Sequence, residues 1–202
     1  MQNIPVMIKH LFLIFWNINR DAFDKQQTHS KINVKDSIEA KLHTDEDDDV
    51  VGDNVNSYME NVASSGTHIW RFHLSQVNVF DMIGISRVQS GQRKDKSLTG
   101  AIDTDDDYAF RFSGDILTEH EGREYVYETY GTKEYNQNET IEMILNLNDL
   151  SLRWKMFDED CGKWEDPGKA YGIKEGNYRA VISLYDDGGD CVVKLLEYQH
   201  IV

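Results

Sequence analysis

Cysteine and proline are scarce, with two of each in 202 residues. Cys161 and Cys191 are too few for the disulfide framework of a secreted domain, and they lack the C-x-x-C spacing of a structural zinc site. They point to a reducing compartment, so the expected location is cytoplasmic, with the nucleus chemically equivalent. Rare proline leaves backbone N–H donors free for sheet ladders. Positive charge is also short: 21 Lys and Arg face 36 Asp and Glu, a net charge of -15. Such a surface repels polyphosphates and anionic lipid, so we expect no nucleic-acid and no membrane partner. A partner selected by charge would be basic. Acidity also serves solubility alone.

Long hydrophobic runs are missing. Leu11-Phe12-Leu13-Ile14-Phe15-Trp16 falls far below the ~20 residues of a membrane span. Lys9 and His10 precede it in the manner of a signal peptide. The following Asn17-Ile18-Asn19-Arg20-Asp21 offers no small-x-small cleavage site. We read the run Leu11 to Trp16 as a strand or a terminal segment packed on the domain, residues 1–14 as an N-terminal segment and residues 15–202 as one domain. That length buries a sizeable core without metal or disulfide.

Helical periodicity is absent too: no stretch repeats apolar residues at i, i+3, i+4 and i+7 between caps. Strand alternation is frequent. Lys31 to Val34 and Ala40 to His43 alternate. The acidic block Asp45-Glu46-Asp47-Asp48-Asp49 marks solvent. Strands are predicted at Ser57 to Val62, Ile69 to Leu74, Met82 to Ile85 and Tyr108 to Phe112. Glu139 to Leu147 places Ile141, Met143, Leu145 and Leu147 on one face, and Asn148-Asp149 turns the chain into Leu152 to Met156 as a hairpin. The last two strands are Tyr178 to Leu184 and Cys191 to Leu196. Ser86 to Asp107 and Asp158 to Gly168 read as loops. Many short strands with almost no helix predict an all-β class: a single sandwich of two antiparallel sheets. Trp70, Phe72, Ile83, Ile85, Leu145, Leu147, Leu152, Trp154, Ile182 and Leu184 are its candidate core.

Catalytic and metal signatures are equally thin. Asp103-Thr104-Asp105-Asp106-Asp107 opens like a calcium loop, but Tyr108 stands where the turn glycine belongs and Gly114 where the bidentate Glu belongs. The seven histidines form no H-E-x-x-H pair. His68 and His73, five apart on one strand, point to opposite faces. Cys161 sits among Asp158, Glu159 and Asp160, which raise a thiol's pKa. No phosphate loop or nucleophile elbow occurs. We therefore expect no metal, no cofactor and no enzyme activity.

Four segments, in order, carry a likeness. Ser64-Ser65-Gly66-Thr67-His68-Ile69-Trp70 resembles a small-Gly-x-x-x-Trp entry to a core strand. Asp81-Met82-Ile83-Gly84-Ile85 resembles an Ile-Gly-hydrophobic strand. Glu139 to Leu147 with Ser151-Leu152-Arg153-Trp154 is similar to a central hairpin. Tyr178 to Leu184 with Cys191 to Leu195 resembles a closing pair. Together they resemble the SPRY domain family, the interaction modules of TRIM proteins, SOCS-box adaptors and ryanodine receptors. The chain departs from the pattern at Asn138-Glu139 and at Asp158 to Gly162, both turns.

The resemblance implies a concanavalin-like jelly roll and a non-catalytic module that recognises a peptide or protein through loops at one rim. Any tie to a ubiquitin ligase would come through partners. By the same analogy, Tyr185, Asp186 and Asp187 are expected near Arg87, Gln92 and Arg93 as the ligand-binding rim. The alternative is a carbohydrate-binding or carbohydrate-active sandwich, which also uses aromatic loops.

Overall fold

Buried and half-buried residues alternate from Thr67 to Ser75 along the strand Thr67–Gln76, so one face of this strand meets the core and the other meets water. The computed structural model describes residues 20–42, 54–88, 107–120, 124–129, 138–159, 161–170, 172–186 and 190–202. Its strands run β1 (Phe23–Thr28), β2 (Ile32–Lys35), β3 (Glu39–Leu42), β4 (Asn54–Met59), β5 (Thr67–Gln76), β6 (Met82–Arg87) and β7 (Asp107–Arg111). They continue as β8 (Asp115–His120), β9 (Glu124–Thr129), β10 (Glu139–Asn146), β11 (Ser151–Asp158), β12 (Lys163–Ala170), β13 (Tyr178–Tyr185) and β14 (Val192–Ile201). Among the described residues there is no helix.

Two seven-stranded antiparallel sheets result. The first is ordered β1-β4-β13-β6-β7-β8-β9 and the second β12-β11-β10-β5-β14-β3-β2. The expected all-β sandwich is what forms. Trp70, Phe72, Trp154, Phe110 and Tyr178 are fully buried between the sheets, where Trp154 and Phe110 lie 6.0 Å apart. Of the candidate core residues, Leu147 alone is only partly buried. The predicted hairpin closes with Leu145 opposite Leu152.

Four strands escape the alternation argument: β1, β8, β9 and β12. The last overturns the loop expected from Asp158 to Gly168. β12 is an edge strand whose pairing with β11 shifts between Trp154–Gly168 and Met156–Glu165. Pro167 falls in that irregularity, where a missing N–H breaks no ladder. Strands β6 and β7 approach so closely that a Cβ on Gly84 would overlap the carbonyl oxygen of Tyr108. Gly84→Ala is therefore expected to lower stability by about 1–3 kcal/mol through overpacking. Urea unfolding would measure it, and an unchanged midpoint would refute the close approach.

Candidate functional site

At one end of the sandwich, the chain from Val77 to Asp81 joins β5 to β6. Asp81 is fully buried. Its Oδ1 accepts from the Tyr185 amide at 2.6 Å and its Oδ2 from the Asn78 amide at 2.7 Å. Its carbonyl accepts from the Phe112 amide at 3.0 Å, and the Ser113 amide donates to the Val79 carbonyl at 3.0 Å. The Asp81 carboxylate thus fastens this loop to the end of β13, and the backbone carbonyls of Asp81 and Val79 tie the same loop to the β7–β8 turn. Buried carboxylates persist only where donors satisfy them, so the arrangement is fixed.

That frame holds an apolar patch out of the core. Val79 and Phe80 each keep 47% of their surface exposed. Phe80 tilts against Tyr185 with ring centroids 5.0 Å apart, and its carbonyl accepts from Asn54 Nδ2 at 3.2 Å. Beside it, Lys31 Nζ donates to Asp186 at 2.7 Å across a largely buried contact. Rigid aromatics on a fixed loop give contact area at small entropic cost.

The six residues expected at a single rim do not all gather there. Tyr185 and Asp186 stand at this end, and Asp186 is held by Lys31. Arg87 stands at the other. β6 and β13 are antiparallel neighbours with Arg87 opposite Tyr178, so the end of β6 meets the start of β13. The eight residues of β13 separate Arg87 from Tyr185, roughly 23 Å of strand. Arg87 instead donates to the Glu175 carbonyl at 2.9 Å. Asp187, Gln92 and Arg93 lie outside the described residues, as does most of the Asp103 to Asp107 cluster. Sequence reasoning missed Val79, Phe80 and Asp81 as site residues. Two adjacent apolar residues between Asn78 and Asp81, outside any alternating run, were the available signal.

The other rim carries its own buried polar groups. Asp21 accepts from Trp70 Nε1 at 2.7 Å and from the Ala22 and Asn61 amides at 2.9 Å each. Burial pushes its carboxyl pKa up, against the pull of those donors. Burial also pushes the Tyr198 phenol up to about 12. His68 Nε2 lies 2.9 Å from the Ser65 carbonyl and its Nδ1 2.7 Å from the Tyr198 hydroxyl. A carbonyl only accepts, so Nε2 carries the proton and Nδ1 accepts from Tyr198. His200 stacks on His68 at 4.2 Å.

Burial first, and His200 in addition, lower the His68 pKa below 6.5. The unfolded chain then binds its proton first. His68's contribution to stability is present above that value and is lost as pH falls toward the lowered folded one. His68→Gln is expected to flatten the fall in stability between about pH 7 and pH 5. Equal slopes in parallel urea titrations would show that His68 does not titrate this way. At the β11–β12 turn, a hydrogen bond with Asp158 raises the Cys161 pKa, as its acidic neighbours imply.

These features define a class: an antiparallel two-sheet sandwich with a fixed, partly apolar loop rim. By sequence, no family model matches the chain and no curated protein matches it. Among solved structures, it is similar to the SPRY domain of human HERC1 at TM-score 0.61 and 15% identity, covering 87% of this chain and 97% of that one. It is similar to the TRIM65 PSpry domain at TM-score 0.63 and 12% identity, covering 98% of this chain and 99% of that one. Stonustoxin matches at TM-score 0.58 and 14% identity over 87% of this chain, which spans 27% of that chain. The fold is that of SPRY domains.

Proposed function

We propose that the protein is a non-catalytic recognition module that receives a peptide or protein on the rim formed by Val79, Phe80 and Tyr185. The observation that carries this reading is Phe80, 47% exposed on the β5–β6 loop and tilted against the partly buried Tyr185 at the end of β13, both tied to one fully buried carboxylate. Interface anchors are typically aromatic and preorganised. The net charge of -15 supports a partner with basic residues around an apolar anchor. Neither the exposed Cys161 nor the buried Cys191 forms a disulfide, which supports a reducing compartment. A ubiquitin ligase would be reached only through such a partner.

A sugar ligand calls for an open aromatic face. Trp164 is 42% exposed, but Arg71 lies 5.5 Å above its ring and Phe157 sits 5.3 Å away. The other exposed aromatic among the described residues, Phe80, is tilted against Tyr185 at 5.0 Å, and a glycan array is expected to stay blank. A displayed library of random 12-residue peptides is the direct test. Peptides enriched on the wild type should lose at least roughly tenfold affinity for a folded Phe80→Asp variant, the size of one lost anchor. Retained affinity in that variant would move the site elsewhere.

A further inference from the structure

The sandwich closes unevenly along one side. β1 is an edge strand of the first sheet, β2 is an edge strand of the second, and residues 29–31 carry the chain from one to the other. β1 pairs irregularly with β4: Phe23 lies opposite Met59 and Thr28 opposite Ser57, so five steps along β1 meet two along β4. The surplus residues bulge out of the ladder. A cavity of about 470 Å³ opens here, lined by β1, β2 and their connection. That volume falls within the range of small-molecule sites. Hydrogen bonds hold its corner. The His29 amide donates to the Asn56 carbonyl at 2.9 Å, and the Ile32 amide donates to the His29 carbonyl at 3.0 Å. The Thr28 hydroxyl donates to the Asp24 carbonyl at 2.8 Å and lies 2.7 Å from the Ser57 hydroxyl.

The chain carries a net charge of -15, yet Lys25 and His29 line this cavity and no Asp or Glu does. Two acids at the corner are already matched. Asp24, beside Lys25, accepts from Arg179 Nη1 at 2.9 Å, and Asp186 accepts from Lys31 Nζ at 2.7 Å. Among the described residues Lys25 itself forms no ion pair. Ser30 and Asn33, both exposed, add hydroxyl and amide donors, and Ile32 and Val34 add an apolar wall. At physiological salt the repulsion from acids elsewhere is screened beyond about 8 Å, so the lining decides what enters. We propose that this cavity binds an organic carboxylate, with the anion against Lys25, Ser30 and Asn33 and its hydrocarbon portion along Ile32 and Val34. One lysine matches a monoanion better than a phosphate dianion. A bare inorganic anion leaves the apolar wall wet, and a neutral amide leaves Lys25 without a counter-charge. The site stands apart from the Phe80 rim and does not depend on it.

Titrations of the isotope-labelled full chain, followed by backbone amide shifts, test it. Phenylacetate should give saturable shifts confined to residues 25–34 and their neighbours, with millimolar affinity. Phenylacetamide and inorganic phosphate should bind at least roughly fivefold more weakly, the size of one half-exposed ion pair. Lys25→Gln should weaken phenylacetate by a similar factor. Ser30→Glu brings a negative charge to the cavity and should abolish binding. Both positions are exposed, and amide signals from the rest of the chain report whether each variant is folded. Shifts scattered away from this corner, equal affinity for phenylacetamide, or unchanged affinity in both folded variants would overturn the proposal. The comparison of probes on the wild type decides even if a variant fails to fold. Acetylglycylphenylalanine separates the two sources of a carboxylate. Tighter binding than phenylacetate assigns the anion to the end of a partner chain, and weaker binding assigns it to a free small acid.

Discussion

Trp154→Ala should lower the unfolding free energy by about 3–5 kcal/mol, the usual cost of emptying a buried Trp site. Trp154 is fully buried on β11, packed against Phe110 of the facing sheet. Its Nε1 is buried with no hydrogen-bond partner, so the side chain contributes volume and apolar contact rather than a polar bond. Trp154→Phe should accordingly cost much less, about 1 kcal/mol, because it removes the unpaired donor along with part of the volume. Chemical denaturation of both variants checks this. A loss below about 1 kcal/mol for the alanine variant would show that the ring does not fill the core.

Asp21→Ala ranks next, at about 3 kcal/mol or more, because one carboxylate serves three donors. Its loss strands the Trp70 indole N–H inside the core and unties β1 from the segment after β4. Asp21→Asn keeps an acceptor oxygen and should cost less. Asp21 also has a pH signature. Burial raises its folded pKa above 3.8, so its own contribution is full below that value and fades as pH rises through the raised one. Asp21→Asn should erase this trend. A destabilisation under about 1 kcal/mol for the alanine variant would mean that water replaces the carboxylate at no cost.

The strands legible in the sequence were those with clean alternation, such as Ile141 to Leu147 against Leu152 to Met156. β12 was opaque because Asp166, Pro167 and Gly168 are turn formers, yet an irregular edge pairing tolerates them. β1 was hidden by polar residues such as Lys25, Gln26 and Gln27. The near-continuous burial of β6 and β13 was written in Ala180-Val181-Ile182 and Met82-Ile83, continuous runs rather than alternations. The site was harder. Tyr185 and Asp186 were placed by analogy, but Arg87 was assigned to the wrong end because strand pairing, not loop order, decides which ends meet. Asp81 gave no signal, since a buried acid and a turn acid look alike until their donors are located.

The sheet order also dictates when the protein can fold. β13 lies between β4 and β6, and β14 lies between β5 and β3. Both sheets therefore keep an open slot at their middle while the ribosome is still producing the last strands. Until β13 emerges, four ladder edges that the finished fold hides are available to any other strand, and two of them, on β5 and β3, stay open until β14 is made. β5 and β14 must then find each other across more than a hundred residues of intervening chain, a closure that slows folding. The nascent chain is most prone to mispairing just before its synthesis reaches β13, and a chaperone that shields those slots would act in that interval.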